Sequence, residues 1–217
     1  MQSPQQPISY LITSGQTTAA TTSSSKDFQT ILQLIAAAVA VNIDLIQVRE
    51  KALTTKVLYE LVTRAAALTS SSTTKLLVND RADVASSAGV DGVHLTTRSL
   101  PASVVRQSFG NDFLIGVSTH SLAEALAARE ARADFVVFGP VFQTPSKEKY
   151  GPPVGLEQLS HVCAELNPFP VLAIGGVSEE NFADCLSAGA QGIASIRMFD
   201  DPTRLSATVA RIHGDFL

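Results

Sequence analysis

Gln47, Arg49 and Lys51 stand at alternate positions of the run Ile46-Gln47-Val48-Arg49-Glu50-Lys51, and alternate residues of an extended segment share one face. The apolar residues around them mark the segment as a buried strand. An amide and two cations on one face of such a strand are too costly to serve as filler. That face calls for an anionic, hydrogen-bonding ligand at the strand's carboxyl end.

Three other clusters suit the same chemistry. Asn79-Asp80 closes a second apolar run; Asp80 is a candidate ligand for magnesium, which takes one or two carboxylates together with water and phosphate oxygens. The same residue could instead cap a helix beginning near Arg81. Ala173-Ile174-Gly175-Gly176-Val177 sets two glycines before a helix start, which lets backbone N–H groups close on a phosphate; a tight turn alone would also use them. Thr144-Pro145-Ser146-Lys147 puts two hydroxyls and an ammonium on a loop able to fold over a phosphate. Glu148 and Lys149 beside it equally suit a solvated loop.

Short β-rich runs alternate with longer Ala- and Leu-rich stretches along the whole chain, the pattern of repeated βα units. Strands are expected at 9–13, 45–49, 76–79, 92–95, 114–118, 135–138, 171–174 and 192–196. Helices are expected between them, for example at 27–41, 54–70, 121–131, 178–188 and 202–213. Ser121 with Glu124, and Ser178 with Glu179 and Glu180, read as helix starts, and Pro101 and Pro202 as first-turn prolines. The Thr- and Ser-rich stretch from Thr17 to Ser25 and the segment from Gln143 to Pro153 read as mobile loops after the first and sixth strands.

Eight βα units in 217 residues predict a single α/β domain, a (β/α)8 TIM barrel, with its site at the carboxyl ends of the strands. A doubly wound open sheet is the lesser alternative. The strand ends are collectively polar: Thr13 and Ser14; Gln47, Arg49 and Lys51; Asn79 and Asp80; His94 and Thr96; Ser118 and His120; Gly139, Thr144, Ser146 and Lys147; Gly175 and Gly176; and Ser195 and Arg197. Any one hydroxyl among them could be a helix cap, but the set taken together could not.

Composition narrows the partners. A formal net charge of −4 and a pI near 5.5 provide no general attraction to nucleic acid or acidic membranes, so phosphate affinity has to be local and the partners small phosphorylated molecules. Cys163 and Cys185 are far apart and form no CxxC pattern, which suits a reducing compartment and no zinc site. Residues 1–7 are expected to be disordered; they lack the pattern of a signal peptide, and no apolar run approaches the ~20 residues of a membrane span. A cytoplasmic location is expected, and a homo-oligomer is left open.

In order and spacing, the motifs resemble the thiamine phosphate synthase family and its relatives, the thiazole tautomerases. The resemblance runs from Tyr10 to Arg211. It rests on Tyr10-Leu11-Ile12-Thr13, Gln47-Val48-Arg49-Glu50-Lys51, Val78-Asn79-Asp80, Gly92-Val93-His94-Leu95, Gly116-Val117-Ser118-Thr119-His120, Gly139-Pro140-Val141-Phe142 with the Thr144-to-Lys147 loop, Gly151-Pro152-Pro153-Val154-Gly155-Leu156, and Ala173-Ile174-Gly175-Gly176. It implies a magnesium-dependent transferase that joins hydroxymethylpyrimidine diphosphate to thiazole phosphate and releases pyrophosphate. It further implies that Gln47, Arg49, Lys51, Asn79 and His94 surround the pyrimidine and its diphosphate, and that Asp80 holds Mg2+. Ser118 and Lys147 would stabilise the departing pyrophosphate. Thr144, Ser146 and Gly176, with Gly175 and Ile196 beside them, would grip the thiazole phosphate.

Two positions depart from the family's pattern. Ser99 stands where a second magnesium carboxylate is expected, and Arg197 replaces a small hydroxyl residue beside the phosphate pocket. These changes keep two alternatives in view: a thiazole tautomerase using His120 as proton shuttle on a thiazole carboxylate phosphate, and a non-catalytic thiazole-phosphate-binding homologue.

Overall fold

A computed structural model describes residues 6–96, 98–144 and 152–214. Strands β1 (Ile8–Ile12), β2 (Leu45–Val48), β3 (Lys75–Asn79), β4 (Gly92–Leu95), β5 (Leu114–Thr119), β6 (Phe135–Phe138), β7 (Val171–Ile174) and β8 (Gly192–Ser195) alternate with helices α1 (Lys26–Ala40), α2 (Thr55–Thr69), α3 (Ala82–Ser87), α4 (Ala102–Phe109), α5 (Leu122–Glu130), α6 (Gly155–Leu166), α7 (Phe182–Ser187) and α8 (Leu205–Gly214). Every strand pairs in parallel with the next, and β8 closes on β1 through pairs such as Tyr10 with Ala194. The closed barrel is the expected fold; the open sheet is excluded.

Side-chain alternation divides the core in two. Tyr10, Ile12, Leu45, Leu77, Phe135, Val137, Leu172 and Ala194 fill the barrel interior. The intervening residues, such as Leu11, Ile46, Val78, Val93 and Val136, pack outward against the helices. The helices meet them with apolar stripes at helical spacing, Phe28, Ile31, Ile35 and Ala38 on α1 and Leu159, Val162, Cys163 and Leu166 on α6. Glycine is used where the interior is crowded. A Cβ on Gly116 would lie 2.3 Å from the Phe135 ring and 2.9 Å from His94 Nδ1, so its absence makes room for both.

Several boundaries differ from expectation. β2 ends at Val48, and Lys51 lies exposed in the turn that follows, so strand alternation carries Gln47 but does not extend to Lys51. α7 begins at Phe182 rather than Ser178. The Asn181 amide donates to the Gly176 carbonyl and its Oδ1 accepts from Ser178 N, which holds 178–181 as a turn before the helix. Pro202 lies in the turn ahead of α8. Ser121 does cap α5, accepting from Glu124 N at 3.2 Å. The 17–25 loop is tied down: Thr17 donates to Glu50 through N and Oγ1, and the Thr21 hydroxyl donates to Asp27. Residues 1–5 of the expected disordered segment lie outside the described residues. Among the described residues, no helix is long and apolar enough to cross a membrane.

Candidate active site at the carboxyl end of the barrel

β2 brings Gln47 into the interior and leaves Arg49 just past its end, half-buried. The Arg49 N–H donates to Thr13 Oγ1 at 2.8 Å, which extends the β1–β2 pairing by one side chain. The guanidinium lies against Gly15, where a Cβ would stand 3.1 Å from Nη1. Glu50, on the opposite face and almost wholly buried, accepts from Gly15 N and from both the N–H and hydroxyl of Thr17. Sequence reasoning gave Glu50 no role. It is the anchor that holds the first loop beside Arg49, and the signal was an acid between two cations on a buried strand end.

A hydrogen-bonded chain crosses the barrel interior beneath the mouth. Gln47 Nε2 donates to Tyr10 Oη at 2.8 Å, Tyr10 Oη lies 3.1 Å from His94 Nδ1, and His94 Nε2 lies 2.8 Å from Ser118 Oγ. Tyr10 and His94 are buried, and Phe135 meets the Tyr10 ring edge to face at 5.8 Å. Burial pushes the His94 pKa down to about 4; nearby Asp80 opposes the shift and Arg49 adds to it. His94 is therefore a neutral imidazole at neutral pH. Burial likewise raises the Tyr10 pKa, so its phenol keeps its proton. Tyr10 is the second residue given no role from sequence; as part of an apolar strand it carried no sign of a polar partner.

Asp80 follows β3 with φ of 60°, a left-handed conformation that Asp tolerates better than most residues. It is not the α3 N-cap, which is Arg81. Its Oδ2 accepts from Asn79 Nδ2 at 2.8 Å, and its Oδ1 accepts from the hydroxyls of Thr96 and Ser99. Ser99 thus sits against Asp80, at the place expected for a second ligand. Asp80 is one carboxylate beside two hydroxyls, with the Asn79 NH2 turned toward it, and among the described residues no group of three acidic, His or Cys side chains could enclose a metal. That donor set suits Mg2+, which retains waters and takes substrate phosphate oxygens.

Between β6, β7 and β8 lies a cleft of about 450 Å³ whose lining includes Gln143, Thr144, Gly175, Gly176, Ile196 and Arg197, with Glu179, Glu180, Asp200, Asp201 and Arg204 also lining it. Both glycines have positive φ, 92° and 68°, and a Cβ on Gly176 would lie 2.7 Å from Gln143 O. The glycines therefore serve the packing of the sixth loop as well as the turn; Phe142 N donates to Gly175 O at 2.8 Å. Arg197 begins a short 3-10 turn, exposed at the rim. The short α7 starts beyond the 178–181 turn, so its dipole does not act directly on the glycines as expected. His120 is exposed, but its Nδ1 is hydrogen-bonded to the Gly139 carbonyl, which leaves Nε2 without a hydrogen bond among the described residues. Ser146 and Lys147 lie outside the described residues.

Comparison with known proteins adds four findings. The family model described as thiamine monophosphate synthase matches residues 17–199. A thiamine-phosphate synthase of Caldicellulosiruptor bescii is 42% identical over 154 residues, 71% of this chain and 70% of that protein. A Geobacter sulfurreducens protein, whose name assigns it provisionally to the same enzymes, is 45% identical over 166 residues, 76% of this chain and 78% of its own. The solved structure of thiamine phosphate pyrophosphorylase from Pyrococcus furiosus superposes with a TM-score of 0.77 at 28% identity, covering 97% of this chain and 98% of that one.

Proposed function

Because this chain belongs to the thiamine monophosphate synthase family, we propose that it is a thiamine-phosphate synthase, joining hydroxymethylpyrimidine diphosphate to thiazole phosphate. The observation that carries the reading is the division of one barrel mouth into two parts, each with an arginine beside candidate phosphate-binding groups. Arg49, Asp80 and Ser118 stand on the β2–β5 side, and the glycine and Arg197 cleft lies between β6 and β8. That layout can accommodate two phosphorylated substrates meeting across one mouth.

The reaction breaks the bond between the pyrimidine methylene carbon and the diphosphate oxygen. The electron pair leaves with pyrophosphate, and the thiazole nitrogen lone pair forms the new C–N bond. Arg49, Lys51, Ser118 and Lys147 meet the negative charge that develops on the leaving group, each preorganised donor supplying ~10²-fold in rate. Gln47, Asn79 and His94 surround the pyrimidine and its diphosphate, His94 acting through its bond to Ser118. Thr144, Ser146, Gly175, Gly176 and Ile196 hold the thiazole phosphate, to which Arg197 adds a guanidinium able to bind two oxygens at once. Positioning the nucleophile then supplies the proximity term. Mg2+ would be held by Asp80, with the Ser99 hydroxyl beside it, and would neutralise diphosphate charge. A cytoplasmic setting is part of the same proposal.

A second reading, the tautomerase, draws on His120, whose Nδ1 is committed to Gly139 O and whose Nε2 is left as a base. Supplying the two synthase substrates in one reaction and thiazole carboxylate phosphate alone in another separates the two. Thiamine phosphate in the first supports the synthase; isomerisation in the second without coupling in the first supports the tautomerase.

A further inference from the structure

We propose that Tyr10 is a positioning residue that fixes the tautomer of His94 and thereby makes Ser118 a hydrogen-bond donor to the anionic group at the barrel mouth. A phenol has one proton to give, and Tyr10 Oη already accepts from Gln47 Nε2 at 2.8 Å. Its proton therefore goes to His94 Nδ1, 3.1 Å away. A neutral imidazole that accepts at Nδ1 carries its proton at Nε2. That proton is donated to Ser118 Oγ at 2.8 Å, and the serine's own O–H is released toward the mouth. Read in the opposite sense, with the imidazole proton on Nδ1, Ser118 would spend its proton on the ring and present only lone pairs to an incoming anion.

The barrel interior enforces the sense of the chain. Gly116 leaves the space in which His94 and Phe135 sit, and Tyr10, His94 and Phe135 pack as a three-ring cluster with centroids 5.8 to 6.1 Å apart. The imidazole is fully buried, so water cannot supply a competing donor. Tyr10 thus acts on the leaving group through two intermediaries, without touching it. The ligand class, pyrophosphate or a diphosphate ester, rests on the synthase reading; the tautomer does not.

Histidine-selective 15N labelling and two-bond 1H–15N correlation spectra at neutral pH test the first step, with the His94 signals identified by their loss in His94→Asn. The expected pattern is protonated Nε2 and unprotonated Nδ1; a proton on Nδ1 in the wild type overturns the proposal whatever the enzyme's activity. Tyr10→Phe keeps the ring and removes the donor. It should shift the His94 proton toward Nδ1 and weaken binding of inorganic pyrophosphate, measured by titration calorimetry with magnesium, by about tenfold or more. Affinity for thiazole phosphate should be unchanged. An unaltered tautomer and unaltered pyrophosphate affinity in Tyr10→Phe overturn the proposal. If Tyr10→Phe does not fold, the wild-type tautomer still decides. The expected tautomer and pyrophosphate shift in a protein that makes no thiamine phosphate would uphold Tyr10 and remove the synthase reading.

Discussion

The Ser99 hydroxyl donates to Asp80 Oδ1 across the gap between β3 and the loop after β4, while Thr96 holds both of them. A hydroxyl therefore occupies the side of Asp80 on which a second carboxylate would complete a metal pair. Ser99→Asp adds that carboxylate. Two carboxylates in contact repel without a cation, so the variant should lose several degrees of Tm in a chelator and regain them with magnesium. Its half-saturating magnesium concentration should fall severalfold. Thermal melts and calorimetric magnesium titration, with and without pyrophosphate, measure both; an unmoved magnesium curve contradicts the placement of the ion at Asp80.

Arg49 and Lys147 are both assigned to the diphosphate. Replacing either with Ala should lower kcat/KM by ~10²-fold or more. Stability should change little for Arg49→Ala, because the backbone bond to Thr13 and the Glu50 contacts remain. Steady-state kinetics alongside urea denaturation decide the point, and wild-type rates in either variant remove that residue from the mechanism.

Glu50→Ala should loosen the first loop. The carboxylate is buried and accepts from Gly15 N, Thr17 N and Thr17 Oγ1, so its removal leaves the buried Thr17 donors unpaired at a cost of about 3 kcal/mol. Amide exchange at Gly15 and Thr17 should accelerate, and kcat/KM should fall because Arg49 packs on Gly15. Unchanged exchange at both amides contradicts the anchoring role.

Gly176→Ala tests the cleft. The position has φ of 68°, and a Cβ would meet Gln143 O and Phe142 Cβ at 2.7 Å. Strain of about 1–3 kcal/mol is expected, together with a raised KM for thiazole phosphate. Denaturation and kinetics should both respond; a response in stability alone would make the glycine purely structural.

The barrel was legible from sequence because each strand is a short apolar run and each helix carries a stripe at helical spacing. The closing pairs between β1 and β8 followed from counting to eight. Ser99 was set beside the Asp80 site by the family resemblance alone; the two meet because they follow the adjacent strands β3 and β4. Strand alternation does not reach Lys51, because the chain turns after Val48. Ser178 was misjudged because Asn181 competes for the backbone and delays the helix. Tyr10 and Glu50 were missed for a common reason. Their roles depend on partners 33 or more residues away in sequence, and no local pattern announces such a partner.

The most direct test follows thiamine phosphate and pyrophosphate together in reactions of the purified protein with hydroxymethylpyrimidine diphosphate and thiazole phosphate, across a magnesium titration. The account predicts equal amounts of the two products, formed only with magnesium. Absence of both products at saturating substrates and magnesium, while thiazole phosphate still binds, would contradict it.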